Sequence, residues 1–222
     1  MKAVLFDLDG TLFDTAPDFV VVLNQLRHQE QLPPLAEENI RAAVSNGARG
    51  MVTLAFALGE DDPGFDDLHQ RFLNLYLNHL AVKTVLFPGI ETLLHTLAEN
   101  SIAWGIVTNK PEAYTLPLLS AFAHLPPPGA VVCPDHVRDR KPHPEAVLLA
   151  CTQIGCDPRE AIYAGDHPRD IEAGRAAGMP TIACSYGYIG TDVDVTDWNA
   201  DHRISSANEI WPLLQTHYLQ RP

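Results

Sequence analysis

At 222 residues, 46% of them apolar and 19% charged, the chain is long enough for one large domain or for a domain carrying a smaller insertion, and its balance is that of a globular protein. Its 28 acidic residues outnumber 15 basic ones, and the resulting net charge of −13 repels nucleic acid and anionic lipid headgroups, which argues against both as partners. No apolar run approaches the roughly 20 residues of a membrane helix, no secretory leader is read before Asp7, and Cys133, Cys151, Cys156 and Cys184 form no C-x-x-C pair. The expected setting is a reducing cytoplasm, with the cysteines as small core residues.

The run Val4-Leu5-Phe6-Asp7-Leu8-Asp9-Gly10-Thr11-Leu12 reads as a buried strand that delivers two carboxylates and stops at a glycine. Residues two apart on a strand share a face, so Asp7 and Asp9 are expected to leave the strand end together. Two adjacent buried acids repel unless a cation lies between them, and a hard divalent ion such as Mg²⁺ suits carboxylate oxygens. Gly10 and Thr11 are expected to offer backbone N–H groups to an anion in front of it.

Asp14-Thr15-Ala16-Pro17 then reads as a helix start. The pattern stays helical to about Leu80, broken at Pro33-Pro34, at Ser45-Asn46-Gly47 and at Asp61-Asp62-Pro63-Gly64. Phe65, Leu68, Phe72, Leu75, Tyr76 and Leu80 form the apolar stripe of a helix-bundle core. After Phe87-Pro88-Gly89 the pattern changes. A helix from Ile90 to Ala98 leads to a strand from Ile102 to Asn109, and a helix from Pro111 to Phe122, containing Pro117, leads to a short strand from Ala130 to Cys133. A helix from Pro144 to Ile154, a strand from Ala161 to Gly165, a helix from Asp170 to Ala177 and a strand from Thr181 to Ser185 follow. Strands alternating with helices predict a doubly wound parallel α/β sheet, Rossmann-like, with an α-helical cap inserted after the first strand. The core is expected over residues 1–14 and 83–222 and the cap over 15–82.

Ligands of such sheets bind beyond the carboxyl ends of the strands, where Asp7, Asp9, Thr108 and Asp166 all fall. Thr108 and Asn109 could offer phosphate contacts, although taken alone they read first as a helix N-cap. Lys141, just ahead of a helix, would neutralise phosphate and offset the acids, unless it is a solvated surface charge. Asp166 would complete a metal shell. Asp170 would hold a metal-bound water, orient Lys141, or simply cap its helix.

In this order and spacing, Asp7-Leu8-Asp9-Gly10-Thr11, Thr108, Lys141 and Gly165-Asp166 with Asp170 resemble the four motifs of the haloacid dehalogenase superfamily over roughly residues 3–14 and 84–190. The resemblance implies a Mg²⁺-dependent phosphomonoester hydrolase. In it Asp7 is the nucleophile that becomes an aspartyl-phosphate, and Asp9 is the general acid and base. Lys141, Thr108, Asn109, Gly10 and Thr11 stabilise the phosphoryl group. The metal is held by Asp7, the Asp9 backbone carbonyl, Asp166 and, through water, Asp170. An acid at Asp9 argues against the dehalogenating branch, and the lack of a cap lysine before Lys83 argues against the phosphonate-cleaving one.

Asp7 through Thr15, Lys141-Pro142-His143-Pro144 and the helical cap look like the phosphoglycolate phosphatase subgroup. Ser45 to Arg49, Val132 to His136 and Tyr186 to Ile189 resemble the branch acting on N-acetylmuramic acid 6-phosphate. The implied substrate is therefore a small phosphorylated metabolite, either such a sugar phosphate or 2-phosphoglycolate, and the implied assembly a monomer or homodimer. Arg49, and more weakly His136, are candidates to contact substrate. His167 stands where relatives more often carry Asp, Ser or Thr. The competing readings are a phosphosugar mutase of the same superfamily and a receiver-type phospho-accepting regulator, although receivers carry no helical insertion of this size.

Overall fold

The computed structural model describes residues 1–190 and 193–219. The chain divides into two compact units, Met1–Phe13 with Leu86–Pro222, and Asp14–Val85. The first begins with β1 (Ala3–Phe6). Two short strands, β2 (Phe13–Asp14) and β3 (Val85–Leu86), pair where the chain leaves and rejoins it.

The intervening unit holds α1 (Ala16–Gln29), α2 (Glu37–Ala43), α3 (Gly47–Phe56) and α4 (Phe65–Asn78). The breaks fall at the expected Pro-Pro, Ser-Asn-Gly and Asp-Asp-Pro-Gly runs. Phe65, Leu68, Phe72 and Tyr76 of α4 are buried, and Phe19 of α1 stacks on Tyr76 with ring centroids 4.2 Å apart. Burial of each such side chain contributes about 1.5–3 kcal/mol, which is what holds short helices in place. Asp18 is fully buried within this unit. It is satisfied by the Lys83 and Thr84 amides at 2.7 and 3.1 Å and by the Thr84 hydroxyl at 2.7 Å.

The other unit continues with α5 (Ile90–Glu99), β4 (Ala103–Val107), α6 (Glu112–Ala121), β5 (Ala130–Val132), α7 (Glu145–Ile154), β6 (Ala161–Gly165), α8 (Pro168–Ala176) and β7 (Thr181–Cys184). It ends with β8 (His202–Ile204) and α9 (Ile210–His217), neither of which the sequence pattern had suggested. Three alternating residues are too few to register as a strand, and Pro212 interrupts the helical signal. Pro117, by contrast, lies inside α6 without ending it.

The six strands form one parallel sheet in the order β5-β4-β1-β6-β7-β8. Ala3 and Leu5 of β1 join a core with Val147, Ala150 and Cys151 of α7 and Ala173 of α8. Val4 and Phe6 point to the opposite face and are also fully buried. An all-apolar strand buried on both faces belongs in the middle of such a sheet. The connections from β1 run outward through β4 to β5 and then cross to β6, so loops on either side of β1 diverge and leave a crevice above its carboxyl end. The four cysteines are free, and burial pushes the Cys151 thiol up to about 12, in keeping with a packing role.

Candidate active site

Asp7 directly follows β1, and its N–H continues the ladder by donating to Ala164 O of β6 at 2.9 Å. Because β1 and β6 run side by side in register, with Phe6 opposite Ala164, Asp7 and Asp166 emerge next to each other. Asp170 arrives from the first turn of α8. Carboxylate oxygens of Asp7, Asp166 and Asp170 all lie within 4.8 Å of one another, and these residues are 4%, 1% and 0% exposed.

Lys141 reaches into this cluster from the loop before α7 and is itself buried. Its Nζ donates to Asp7 Oδ1 at 2.8 Å, Val107 O at 2.7 Å and Tyr163 OH at 2.8 Å, and lies 2.7 Å from Asp170 Oδ1. The Asn109 amide donates to Lys141 O at 3.1 Å and so fixes that loop. Tyr163 was not recognised in the sequence. The available signal was a phenol in an otherwise small or aliphatic strand, since a buried Tyr hydroxyl needs a partner. Burial, followed by the charges of Asp170 and Asp7, holds that phenol well above its ordinary value, so it remains a donor.

Three buried carboxylates against one ammonium leave two negative charges uncompensated. The imbalance bears on the acids themselves: burial, then the charges of Asp7 and Asp170, push Asp166 well above the ordinary carboxyl range, and burial followed by Asp7 raises Asp170. The donors are all hard oxygens, and the deficit equals one dication, so the residues fit a hard divalent metal.

Close approach rather than side-chain chemistry explains two glycines here. Gly10 has φ +88°, and a Cβ on it would overlap the Asp166 carboxylate. A Cβ on Gly187 would overlap Asp166 and the Gly10 carbonyl. The loop carrying Gly187 holds the acid by donating from Tyr188 N to Asp166 Oδ2 at 2.8 Å, while Thr11 Oγ1 donates to Asp166 Oδ1 at 3.2 Å.

A family profile described as haloacid dehalogenase-like hydrolase matches residues 4–184. The chain belongs to this family. It is 44% identical over 214 residues to N-acetylmuramic acid 6-phosphate phosphatase of Pseudomonas aeruginosa, covering 96% of this chain and 95% of the relative. It is 38% identical over 210 residues to phosphoglycolate phosphatase of Xanthomonas campestris pv. campestris, covering 95% of each. Among solved structures, a predicted phosphoglycolate phosphatase from Haemophilus somnus superposes with a TM-score of 0.84 at 26% identity, covering 97% of this chain and 98% of that one. This haloacid dehalogenase-like hydrolase is accordingly an enzyme, a phosphatase, and no helix among its described residues is long and apolar enough to cross a membrane.

Several of the hydrolase's expected site residues make contacts within the protein that the sequence did not indicate. The Gly10 N–H, expected to face an anion, is donated to Phe13 O at 3.0 Å. Thr11 spends its hydroxyl proton on Asp166, and Asn109 holds the Lys141 loop. Thr108 does not cap α6, whose N-cap is Pro111; its hydroxyl accepts from Lys110 N at 3.0 Å. Asp9 does not share the three-carboxylate cluster through its side chain. Both of its oxygens face Lys110 Nζ, at 3.1 and 3.3 Å. Lys110 had been given no role in the sequence, although it directly follows Thr108-Asn109.

Arg49 lies on α3 of the helical unit, where it pairs with Glu60 at 2.5 Å and sits over the Phe65 ring. His136 pairs with Glu112 at 3.0 Å, and its Nδ1 accepts from Cys133 N. His167 caps α8, with Nδ1 accepting from Arg169 N at 3.2 Å. Burial, then the Arg169 charge, lowers it to about 4, so it is a neutral imidazole at pH 7.

Proposed function

We propose that this phosphatase hydrolyses a small alkyl phosphomonoester through an aspartyl-phosphate on Asp7, with Mg²⁺ held by Asp7, Asp166 and Asp170 and by the Asp9 backbone carbonyl. The observation that carries the reading is the division of labour between two neighbouring acids. Asp7 sits in the buried oxygen cluster beside Lys141, whereas Asp9 points elsewhere and answers to a different cation. When bound, the metal would offset the cluster's excess charge and that of the phosphoryl oxygens.

An Asp7 carboxylate oxygen attacks phosphorus in line, forming the Asp7 O–P bond as the ester P–O bond breaks. Asp9 gives a proton to the departing alkoxide. It then takes one from the water whose oxygen attacks the aspartyl-phosphate, which frees inorganic phosphate and regenerates both carboxyls. Lys141 keeps its place beside Asp7 throughout and stabilises charge on the transferring group.

The relatives support a substrate of the N-acetylmuramic acid 6-phosphate or 2-phosphoglycolate kind. A panel containing both, together with hexose 6-phosphates, tests this by phosphate release in MgCl₂. One of the two is expected to exceed the hexose phosphates by at least about tenfold in kcat/KM; equal rates across the panel would remove the substrate assignment while leaving the reaction class.

The titration of the cluster gives an independent check on the metal. Asp166 and Asp170 titrate higher in the folded chain than their ordinary value of 3.8, so the folded state binds more protons than the unfolded one. Without a dication, the contribution of these two groups is fullest below that value and is lost as pH rises through their folded-state values. Mg²⁺ takes the place of those protons. MgCl₂ is therefore expected to raise Tm over EDTA-treated protein more at pH 8 than at pH 5, and an increment independent of pH would contradict the assignment.

A further inference from the structure

Lys110 is a buried lysine, 8% exposed. Lysines are rarely buried without a partner, because an ammonium loses several kcal/mol of hydration on leaving water. Its Nζ lies 3.1 Å from Asp9 Oδ1 and 3.3 Å from Oδ2, so it spans both oxygens. A cation placed on both oxygens restricts the side-chain torsions of the acid. The lysine is also delivered from a braced stretch of backbone. Its N–H is donated to Thr108 Oγ1 at 3.0 Å, its carbonyl accepts from Thr115 Oγ1 at 3.1 Å, and Pro111 restricts it from the following position. Each acid of the opening pair thus has its own lysine, Lys141 for Asp7 and Lys110 for Asp9.

We propose that Lys110 is the positioning residue for Asp9, holding its carboxyl clear of the Asp7–Asp166–Asp170 cluster and aimed at the leaving oxygen of the substrate. This rests on the reading of Asp9 as the general acid. Without Lys110, the carboxyl would lose the cation that holds both its oxygens, and with it its alignment with the departing group. In the step concerned, the ester P–O bond breaks, its electron pair goes to the leaving alkoxide, and the proton on Asp9 passes to that oxygen. A nitrophenolate departs without needing that proton, whereas an alkoxide does not.

The test compares kcat/KM, which reads only the first phosphoryl transfer, for p-nitrophenyl phosphate and for the best alkyl phosphate of the panel. Lys110→Met is expected to lose about a hundredfold on the alkyl ester and under about tenfold on the aryl ester, and Lys110→Arg to recover part of the loss. Equal losses on both esters, or none, would overturn the proposal, since a purely structural lysine cannot distinguish leaving groups. Asp9→Asn, run alongside, separates the two levels of the argument. If it shows the leaving-group dependence and Lys110→Met does not, the lysine's role fails alone. If Asp9→Asn itself lacks the dependence, the acid assignment fails and the lysine's role with it. Should Lys110→Met not fold by circular dichroism, Lys110→Gln is read in the same assay with the same expectations.

Discussion

Asp7→Asn is expected to cut turnover of any phosphomonoester by roughly 10⁴-fold or more, to the background of the assay, while the protein remains folded. The amide keeps the volume of the carboxyl and the backbone bond from Asp7 N to Ala164 O, so β1 stays paired with β6. What it would lose is the oxygen proposed as the nucleophile. An Asn oxygen is a poor nucleophile toward phosphorus, and no other carboxylate of the cluster can replace it: Asp166 is held by Tyr188 N and Thr11 Oγ1, and Asp170 by Lys141. The measurement is steady-state phosphate release beside a thermal melt. Turnover near that of the wild type in a folded variant would remove Asp7 as the nucleophile.

Lys141→Met is the second large effect, and it should appear in stability as well as rate. The ammonium is surrounded by Asp7, Asp170, Tyr163 and the Val107 carbonyl, with its side chain 1% exposed. Deleting one partner of such a buried arrangement leaves charge uncompensated, which typically costs about 3–5 kcal/mol. Here the shortfall is deepened because the cluster already carries more acid than base. Urea unfolding in EDTA is expected to show a loss of that size, and part of it should be recovered in MgCl₂, where a dication offsets the remaining carboxylates. Turnover in Mg²⁺ should fall about a thousandfold, because the cation that steadies the transferring phosphoryl is gone. A variant of wild-type stability in EDTA would show that the cluster's charge is balanced in some other way.

Much of this hydrolase was legible before its coordinates. Ala161 to Gly165 is a strand at the expected residues, and the three helical breaks fall where proline and glycine runs placed them, because steric limits on those residues act locally. The acids that meet in the buried cluster could also be found, since Asp7 and Asp166 each stand at the end of a run that reads as a buried strand. Their partners could not. Asn109, read as a phosphate contact or part of a helix N-cap, also holds the Lys141 loop, while Lys110, which had been given no role, is buried against Asp9. Both β8 and α9 were missed because short elements draw their stability from the sheet edge and core they join, and carry little periodic signal of their own.

The linear chain by itself determined the element types, their alternation, the helical insertion and the order of acids and lysines along the strand ends. All of these depend on residues near one another in sequence. Only the tertiary structure decided which carboxylate meets which cation. Asp7 and Lys141 are 134 positions apart, and Asp9 and Lys110 are 101. Their pairing depends on how β1, β4 and β6 lie side by side, and hydrogen bonds discriminate over a few tenths of an ångström that no local pattern specifies.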